Sequence, residues 1–556
     1  MIRVDEWAPV GGVRLEPNAL EAVRELEKNV VITAGPGAGK TELLAQRADY
    51  LFRTGASMYP RRILAISFKV DAARNLQSRV RERSGSLFAA RFDSFTFHAF
   101  AKRLVDNYRP ALTGASALLP DYRLHATDRV LGEQIRFEDL VPLALEILEA
   151  NPFARGALRQ TYSHIFMDEF QDATGPQYEF LRQAFEDTNA ILTGVGDTKQ
   201  RIMVFAGALE GIMGSFASDF DARELNLYQN FRSKPRLRRM QNRMILDMEP
   251  SAASSDSDLA GDEGSIQVLR YPTDRAEAKG VANLIEQWLG EGVPPSEITV
   301  LVRQTPHLVA VDLGYELSER GIPFRNEQSA QDLTAEPATS LLFNYLRVIA
   351  DEQRPSAYGE LVRVVTRGGL EESDSVTDSK LRRLLTEDRS AIRSQDFDRA
   401  NLDSWIPLVT KFLKFVSRPA LKALSPSYQQ GSRLDDVIDQ GLDAFRRELE
   451  VDADPVAALN RLSEEDAIRI LTVHKCKGLE FEKVVILGVE RQLFWGDEAE
   501  KKAEFFVSIS RAKQELVLTT AARRSRPAGV TGRWDEVRTP HEVLLAYAEE
   551  GMTQAR

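Results

Sequence analysis

The chain has 556 residues, of which 43% are hydrophobic, and a formal net charge of −11. That length supports two to four globular domains rather than one core. The acidic balance argues against a protein that coats nucleic acid, since nonspecific affinity comes mostly from neutralised phosphates, but a basic groove on an acidic body stays open. A single cysteine, Cys476, excludes an internal disulfide framework, and the six scattered histidines have no zinc or iron–sulfur spacing, so any metal should arrive with the substrate. Residues 1–12 lack a charged-then-apolar leader and no apolar run approaches bilayer length, so a soluble, cytoplasmic protein is expected.

Taken in chain order, short apolar runs ending in polar or glycine-rich residues recur at Val30–Ile32, Ile63–Ile66, Ile165–Met167 and Ile191–Leu192, each followed by a helical pattern. A second set follows at Ile298–Val302, Ile470–Val473, Val484–Leu487 and Leu516–Leu518. Such runs predict buried parallel strands with crossover helices, hence an α/β fold with two sheets. Ser251–Gly264 is polar and small, the composition of a linker. Residues 102–160 and 369–463 have helical spacing (Leu140, Leu143, Leu145, Leu148; Leu408, Phe412, Phe415) without strand runs and are expected to be helical insertions. The expected organisation is a first α/β domain over 1–101 and 161–250 with an insertion at 102–160, a linker at 251–264, a second α/β domain over 265–368 and 464–535 with an insertion at 369–463, and a tail at 536–556.

The first strand runs straight into Ala34, Gly35, Pro36, Gly37, Ala38, Gly39, Lys40 and Thr41 and then into a helical pattern. Glycines at 35, 37 and 39 let the backbone wrap closely enough for its N–H groups to face phosphate oxygens, with Lys40 reaching the β/γ-phosphates of ATP and Thr41 a Mg2+ ligand. The acidic partner is the IFMDEFQD run, in which Asp168 would hold Mg2+ and Glu169 would activate the attacking water. The arginines at 523, 524 and 526 are read either as a nucleic-acid contact or as a solvated tail.

With these motifs in hand, the sequence resembles the superfamily 1 helicases of the UvrD/Rep/PcrA type from about Leu15 to Thr520. ILAISFKVDAARNLQSRV resembles motif Ia, SFTFHAF the next DNA-contacting motif, VGDTKQRIMVFAGA motif III, LYQNFRS motif IV, TVHKCKGLEF motif V and EFFVSISRAK motif VI. The resemblance implies two RecA-like P-loop domains, each with a shortened helical insertion. It also implies that Gln200 senses the γ-phosphate, that Arg232 and Arg511 act as arginine fingers, worth roughly 10³–10⁵ in rate, that Glu480 contacts the ribose and that Phe231 stacks on the base. For DNA it implies Phe68, Phe97, His98, Phe205 and His474, with Thr96 and Thr472 near phosphates; Phe68 and Phe97 could equally be core. An aromatic plane stacks on any base for ~1–3 kcal/mol without reading sequence.

The chain also departs from that pattern. Ala19 stands where the family has a base-reading glutamine, and Glu42 where an arginine commonly lies on adenine, so relaxed base selectivity is expected. Motif III has Met203 and Ala206 in place of an aromatic and an arginine, and motif Ia has Lys69-Val70-Asp71. Cys476 reads as a small filler, and His125, His164, His307 and His541 as structural. The expected function is an ATP-driven helicase or translocase on single-stranded DNA, 3′ to 5′ by resemblance. The alternative, from a different class, is a DNA-responsive ATPase that serves a nuclease. The compact size resembles helicase-like subunits of Gabija-type antiviral systems, whose partner is an OLD-family nuclease with a TOPRIM domain.

Overall fold

The structure, a computed structural model, describes residues 1–548 apart from 69, 126–127, 201–206, 228, 255–258, 327–332, 334–335, 352–353, 366–370, 426–427, 429–430, 464–466, 528–529 and 531–533. The chain forms two compact units. The first comprises Met1–Ser116, Glu138–Glu316 and Leu471–Arg556, and the second Ala117–Phe137 and Leu317–Ile470.

In chain order the first half of the molecule contributes strands β1 (Val30–Ala34), β2 (Arg62–Ser67), β3 (Phe92–Thr96), β4 (Leu118–His125), β5 (Gly132–Arg136), β6 (Tyr162–Met167), β7 (Ile191–Gly196) and β8 (Arg223–Leu227). All but β4 and β5 build one sheet in the order β3-β2-β6-β7-β1-β8, parallel throughout. Every residue of β6 is buried, as are five of the six in β2, which is what a parallel sheet covered by helices on both faces requires. β1 lies between β7 and β8, with Val30 opposite Thr193 and Arg223, so its carboxyl end opens where the strand order reverses.

The second half contributes β9 (Ser265–Thr273), β10 (Ile298–Val302), β11 (Phe324–Asn326), β12 (Ile468–Thr472), β13 (Phe481–Ile486) and β14 (Ala512–Arg523). Within the first unit β10, β13, β14 and β9 lie side by side in that order, again parallel. Leu301, Leu471, Val484, Ile486, Leu516 and Phe506 share one apolar core under this second sheet. Both predicted strand sets are therefore present, in an α/β fold. β3, β8, β9 and β11 were not among the predicted runs.

The second unit is mainly helical around Trp405, Phe412 and Tyr345, whose last two rings stack 4.0 Å apart. Residues 102–160, expected to lack strands, hold β4 and β5, which pair with each other. Their residues alternate between polar and apolar (Tyr122 and Leu124 buried, Asp121 and Arg123 exposed), a period-2 signal outweighed by the helical spacing that follows at Leu140–Leu148.

Candidate active site

β1 ends at Ala34, and the chain turns through the glycine-rich loop into helix Lys40–Thr54. Gly37 and Gly39 have φ of 73° and 78°, the left-handed region that disfavours side chains. A Cβ at Gly37 would fall 2.7 Å from Arg232 Cβ and closer still to Asn230, so the loop also owes its shape to contact with the segment that carries Arg232. The Phe231 N–H donates to Gly37 O at 3.0 Å. Lys40 folds back across the loop, its Nζ donating to Ala34 O at 3.3 Å.

The neighbouring sheet position supplies the acidic pair. Asp168 continues the ladder beyond β6 through its N–H to Ile66 O (2.9 Å), and its Oδ1 accepts from the Glu169 N–H (3.0 Å). Glu169 has a φ of 53°, a conformation that costs a non-glycine residue roughly 1–3 kcal/mol and is held by its surroundings. Burial, reinforced by Glu169, pushes the Asp168 carboxyl well above the usual range. Burial acts on Glu169 in the same sense, yet Lys40, Lys477 and a 2.8 Å hydrogen bond from Gln171 hold that carboxyl below its ordinary value.

From the other side come Arg511, at the start of β14, and Lys477, between β12 and β13. The Arg511 guanidinium, 2% exposed, donates to Val507 O (2.9 Å), Leu479 O (3.2 Å), Ser510 Oγ (2.8 Å) and Gln200 Oε1 (2.6 Å). Burial, then the nearby Arg232, lowers its pKa to about 10, so it stays charged at neutral pH. Gln200 in turn donates to Asp197 Oδ2 at 2.8 Å. Arg232 donates to Glu480 Oε2 (2.7 Å) and Ser510 O (3.1 Å). Lys477 pairs with Asp172, donates to Gln200 O at 2.7 Å and lies 3.8 Å from Glu169. One cavity of about 460 Å3 is lined by all of these: Pro36 through Glu42, Phe68, Asp168, Glu169, Gln200, Phe231, Arg232, Lys477, Glu480 and Arg511.

The match to known families agrees with this geometry. The model of the UvrD/REP helicase N-terminal domain matches residues 15–131 and 117–221, and that of the UvrD-like helicase C-terminal domain matches 225–418 and 420–523. The chain belongs to the UvrD-like helicase family. Its two sheets are accordingly the two RecA-like lobes of that fold. Similar proteins are ATP-dependent DNA helicase PcrA of Bacillus subtilis (25% identical, spanning 92% of this chain and 83% of the relative) and DNA helicase II of Escherichia coli (23%, 91% and 84%). A further relative is the putative ATP-dependent DNA helicase YjcD of Bacillus subtilis (23%, 92% and 79%).

One position of this UvrD-like helicase behaves differently from what its motif suggests. Glu42 does not present a free carboxylate to the cavity: Arg83 grips it through two bonds (2.8 and 3.0 Å), with Arg79 (2.9 Å) and Gln46 (2.8 Å) adding to the clamp. Although burial opposes it, these donors hold the Glu42 pKa down. Ala19 is buried in helix Pro17–Arg24. Phe231 is 60% exposed at the cavity mouth.

The expected DNA contacts fall into three groups. Phe97 is buried in the helix-packing core and offers no stacking face, whereas His98 beside it is exposed and Phe68 lines the phosphate cavity. Thr96 caps helix Phe97–Tyr108, its Oγ1 accepting from Ala99 N at 3.2 Å, and Thr472 caps Val473–Cys476 in the same way (Lys475 N, 3.2 Å). His474 Nε2 lies 3.6 Å from Glu504 Oε1. Phe205, Met203 and Ala206 lie outside the described residues. Arg524 is neither a DNA contact nor a tail residue: it is 2% exposed, bonded to Glu490 (2.8 Å) and Glu277 (2.9 Å). Cys476 is buried, as a filler would be. Lys477 joins the site unanticipated, its one signal a lysine in the KCKG run, and it pairs with Asp172, the third acidic residue of the DEFQD run.

The residues present suit a nucleoside triphosphate with Mg2+. A glycine loop with left-handed turns, a buried lysine-facing carboxylate whose pKa burial has raised, and an adjacent Thr41 form a donor set that gains from a divalent cation. Among the described residues no group of three or more His, Cys, Asp or Glu could hold a metal by itself, and no helix is long and apolar enough to cross a membrane.

Proposed function

We propose that the protein is an ATP-driven motor that moves along single-stranded DNA in the 3′ to 5′ direction. The observation that carries this reading is the single cavity in which Lys40, Asp168 and Glu169 from the first sheet meet Lys477 and Arg511 from the second, with Arg232 on the segment between them. Lys40 and the loop N–H groups would bind the β- and γ-phosphates, and Asp168 and Thr41 would hold Mg2+, which supplies charge neutralisation and orientation when bound. Glu169, kept ionised by the two lysines, takes the proton of the attacking water. Arg232 and Arg511 stabilise charge developing on the transferred phosphoryl group, and Gln200, bonded to Arg511, registers whether that group is present. Closure around the triphosphate and release after hydrolysis would move the two sheets relative to each other. Thr96, His98, Thr472 and His474 are then the contacts through which that movement pulls a strand.

The test measures ATP hydrolysis with and without an oligothymidylate, and then displacement of streptavidin from biotin at either DNA end. A 3′ to 5′ motor clears the 5′ end faster. Absence of DNA stimulation sinks the reading. A second reading, favoured by the modest size of the excursion that β4 and β5 form (eight and five residues), is a DNA-responsive switch for an OLD/TOPRIM-type nuclease, as in Gabija-like systems. It expects stimulated hydrolysis without separation of a 3′-tailed duplex, and a stable complex with the nuclease.

A further inference from the structure

Lys199 and Glu249 form an ion pair that has no part in the chemistry above. Lys199 lies on the short turn Thr198–Gln200, which follows β7 of the first sheet, and its side chain is 5% exposed. Its Nζ lies 3.2 Å from Asp197 Oδ1 and donates to Glu249 Oε2 at 3.4 Å, while Thr198 Oγ1 donates to the same Glu249 oxygen at 3.1 Å. Although burial opposes it, the two carboxylates hold the Lys199 pKa above its ordinary value, so the ammonium stays charged. Glu249 closes helix Pro235–Met248, its N–H donating to Ile245 O at 2.7 Å. That helix packs with the second lobe, since Leu237, Met240, Met244 and Ile245 share the core of Leu301, Leu471 and Phe506. The pair therefore crosses from one lobe to the other.

Asp197, fully buried, joins the pair to the reacting centre. Its N–H donates to Gln171 Oε1 (3.0 Å), and the Gln171 amide donates to Glu169 (2.8 Å). Its Oδ2 accepts from Gln200 (2.8 Å), which holds Arg511, and its Oδ1 accepts from the Lys199 N–H (3.1 Å). The turn thus grips the second lobe at both ends, through Gln200 to Arg511 and Lys477, and through Thr198 and Lys199 to Glu249. The second grip stands apart from the phosphates: Lys199 and Glu249 line a cavity of about 300 Å3 that takes in Gly35 and Pro36 but neither Lys40 nor Thr41. Glu249 is also the outer partner, its side chain 38% exposed, so removing it leaves the buried Lys199 charge still compensated by Asp197. Coupling between two sites needs an element that both can bias, and a turn fastened to the γ-phosphate sensor at one end and to the second lobe at the other is such an element.

We infer that Lys199 and Glu249 are positioning residues that carry the state of the nucleotide from Gln200 to the second lobe, and that stimulation of hydrolysis by DNA depends on their contact. The inference rests on the single-strand motor reading and adds to it the link through which the two ends of the cycle communicate.

The test measures ATP hydrolysis by the full chain, with and without oligothymidylate, over a range of ATP concentrations. Glu249→Ala should keep KM for ATP and the DNA-free kcat within about twofold of wild type, while the rise in kcat on adding DNA falls by about fivefold or more, the low end of usual coupling between sites. The double variant Lys199→Met/Glu249→Ala should lose no more stimulation than Lys199→Met alone, because both substitutions break one contact; a further loss in the double variant counts against the pair. Should Lys199→Met fail to fold, Glu249→Ala decides by itself. A fall of basal and stimulated rates in equal proportion would make Glu249 merely structural and overturn the inference, as would wild-type stimulation in Glu249→Ala; both leave the motor reading intact. A wild-type chain that DNA does not stimulate overturns both.

Discussion

Replacing Arg511 with alanine separates a catalytic arginine from a structural one. The guanidinium donates to four acceptors, and deleting it strands at least the Gln200 and Leu479 oxygens, at ~1–3 kcal/mol each if no water reaches them. Against this stands relief of a buried charge. Burial that brings the guanidinium pKa down to about 10 corresponds to roughly 3 kcal/mol held against the charged form. The two contributions largely offset each other, so the fold should change in stability by no more than ~3 kcal/mol. Loss of an arginine finger, by contrast, removes roughly 10³–10⁵ in rate, at least ~4 kcal/mol of transition-state stabilisation. The expected result is a kcat for ATP at least about a thousandfold lower, with a small change in melting temperature and a modest one in KM. A variant that keeps its kcat to within about tenfold would refute the assignment, and a large fall in melting temperature alone would make Arg511 a structural residue.

Lys40→Ala should abolish hydrolysis while retaining oligonucleotide binding; undiminished turnover would contradict the phosphate site. Lys477→Met should lower both kcat and melting temperature, because breaking a buried ion pair from one side typically costs about 3–5 kcal/mol. Adding Asp172→Asn should restore part of the stability, and strict additivity of the two changes would show that the pair is not coupled. Relaxed base selectivity is expected, with KM for ATP, GTP and CTP within about tenfold, since Ala19 offers no polar edge and the Glu42 carboxylate is already clamped; a strong preference for ATP would refute it.

The parts of the site that could be read from sequence are those where chemistry and chain are contiguous. The loop from Ala34 to Thr41 needs its strand, glycines, lysine and threonine in one stretch, and the Asp168–Glu169 pair directly follows the apolar run Ile165–Met167. Edge strand β8 was not legible, because its RELNL sequence buries only alternate residues and reads as a polar loop. Lys477 escaped notice because its significance lies in a partner 305 positions away in the sequence. Arg524 was misjudged for the same reason: an arginine in a basic run reads as solvated, and only the fold brings Glu277 and Glu490 to it. Phe97 shows the limit in the other direction, a motif aromatic whose helix turns it inward.

The same junction, strand then threonine then helix, occurs at a motif position in each lobe, with Thr96 and Thr472 accepting from the third residue onward at the same 3.2 Å. Each threonine is rigidly tied to its own sheet, so the gap between the two is the variable that an opening or closing cleft can alter. A polymer with a regular backbone repeat, engaged at both marks, can settle only where each mark meets an equivalent unit. The lobes would then behave like the jaws of a caliper with notched travel, and the stride would come in whole nucleotides because of the track's own periodicity rather than any precise limit on how far the jaws swing.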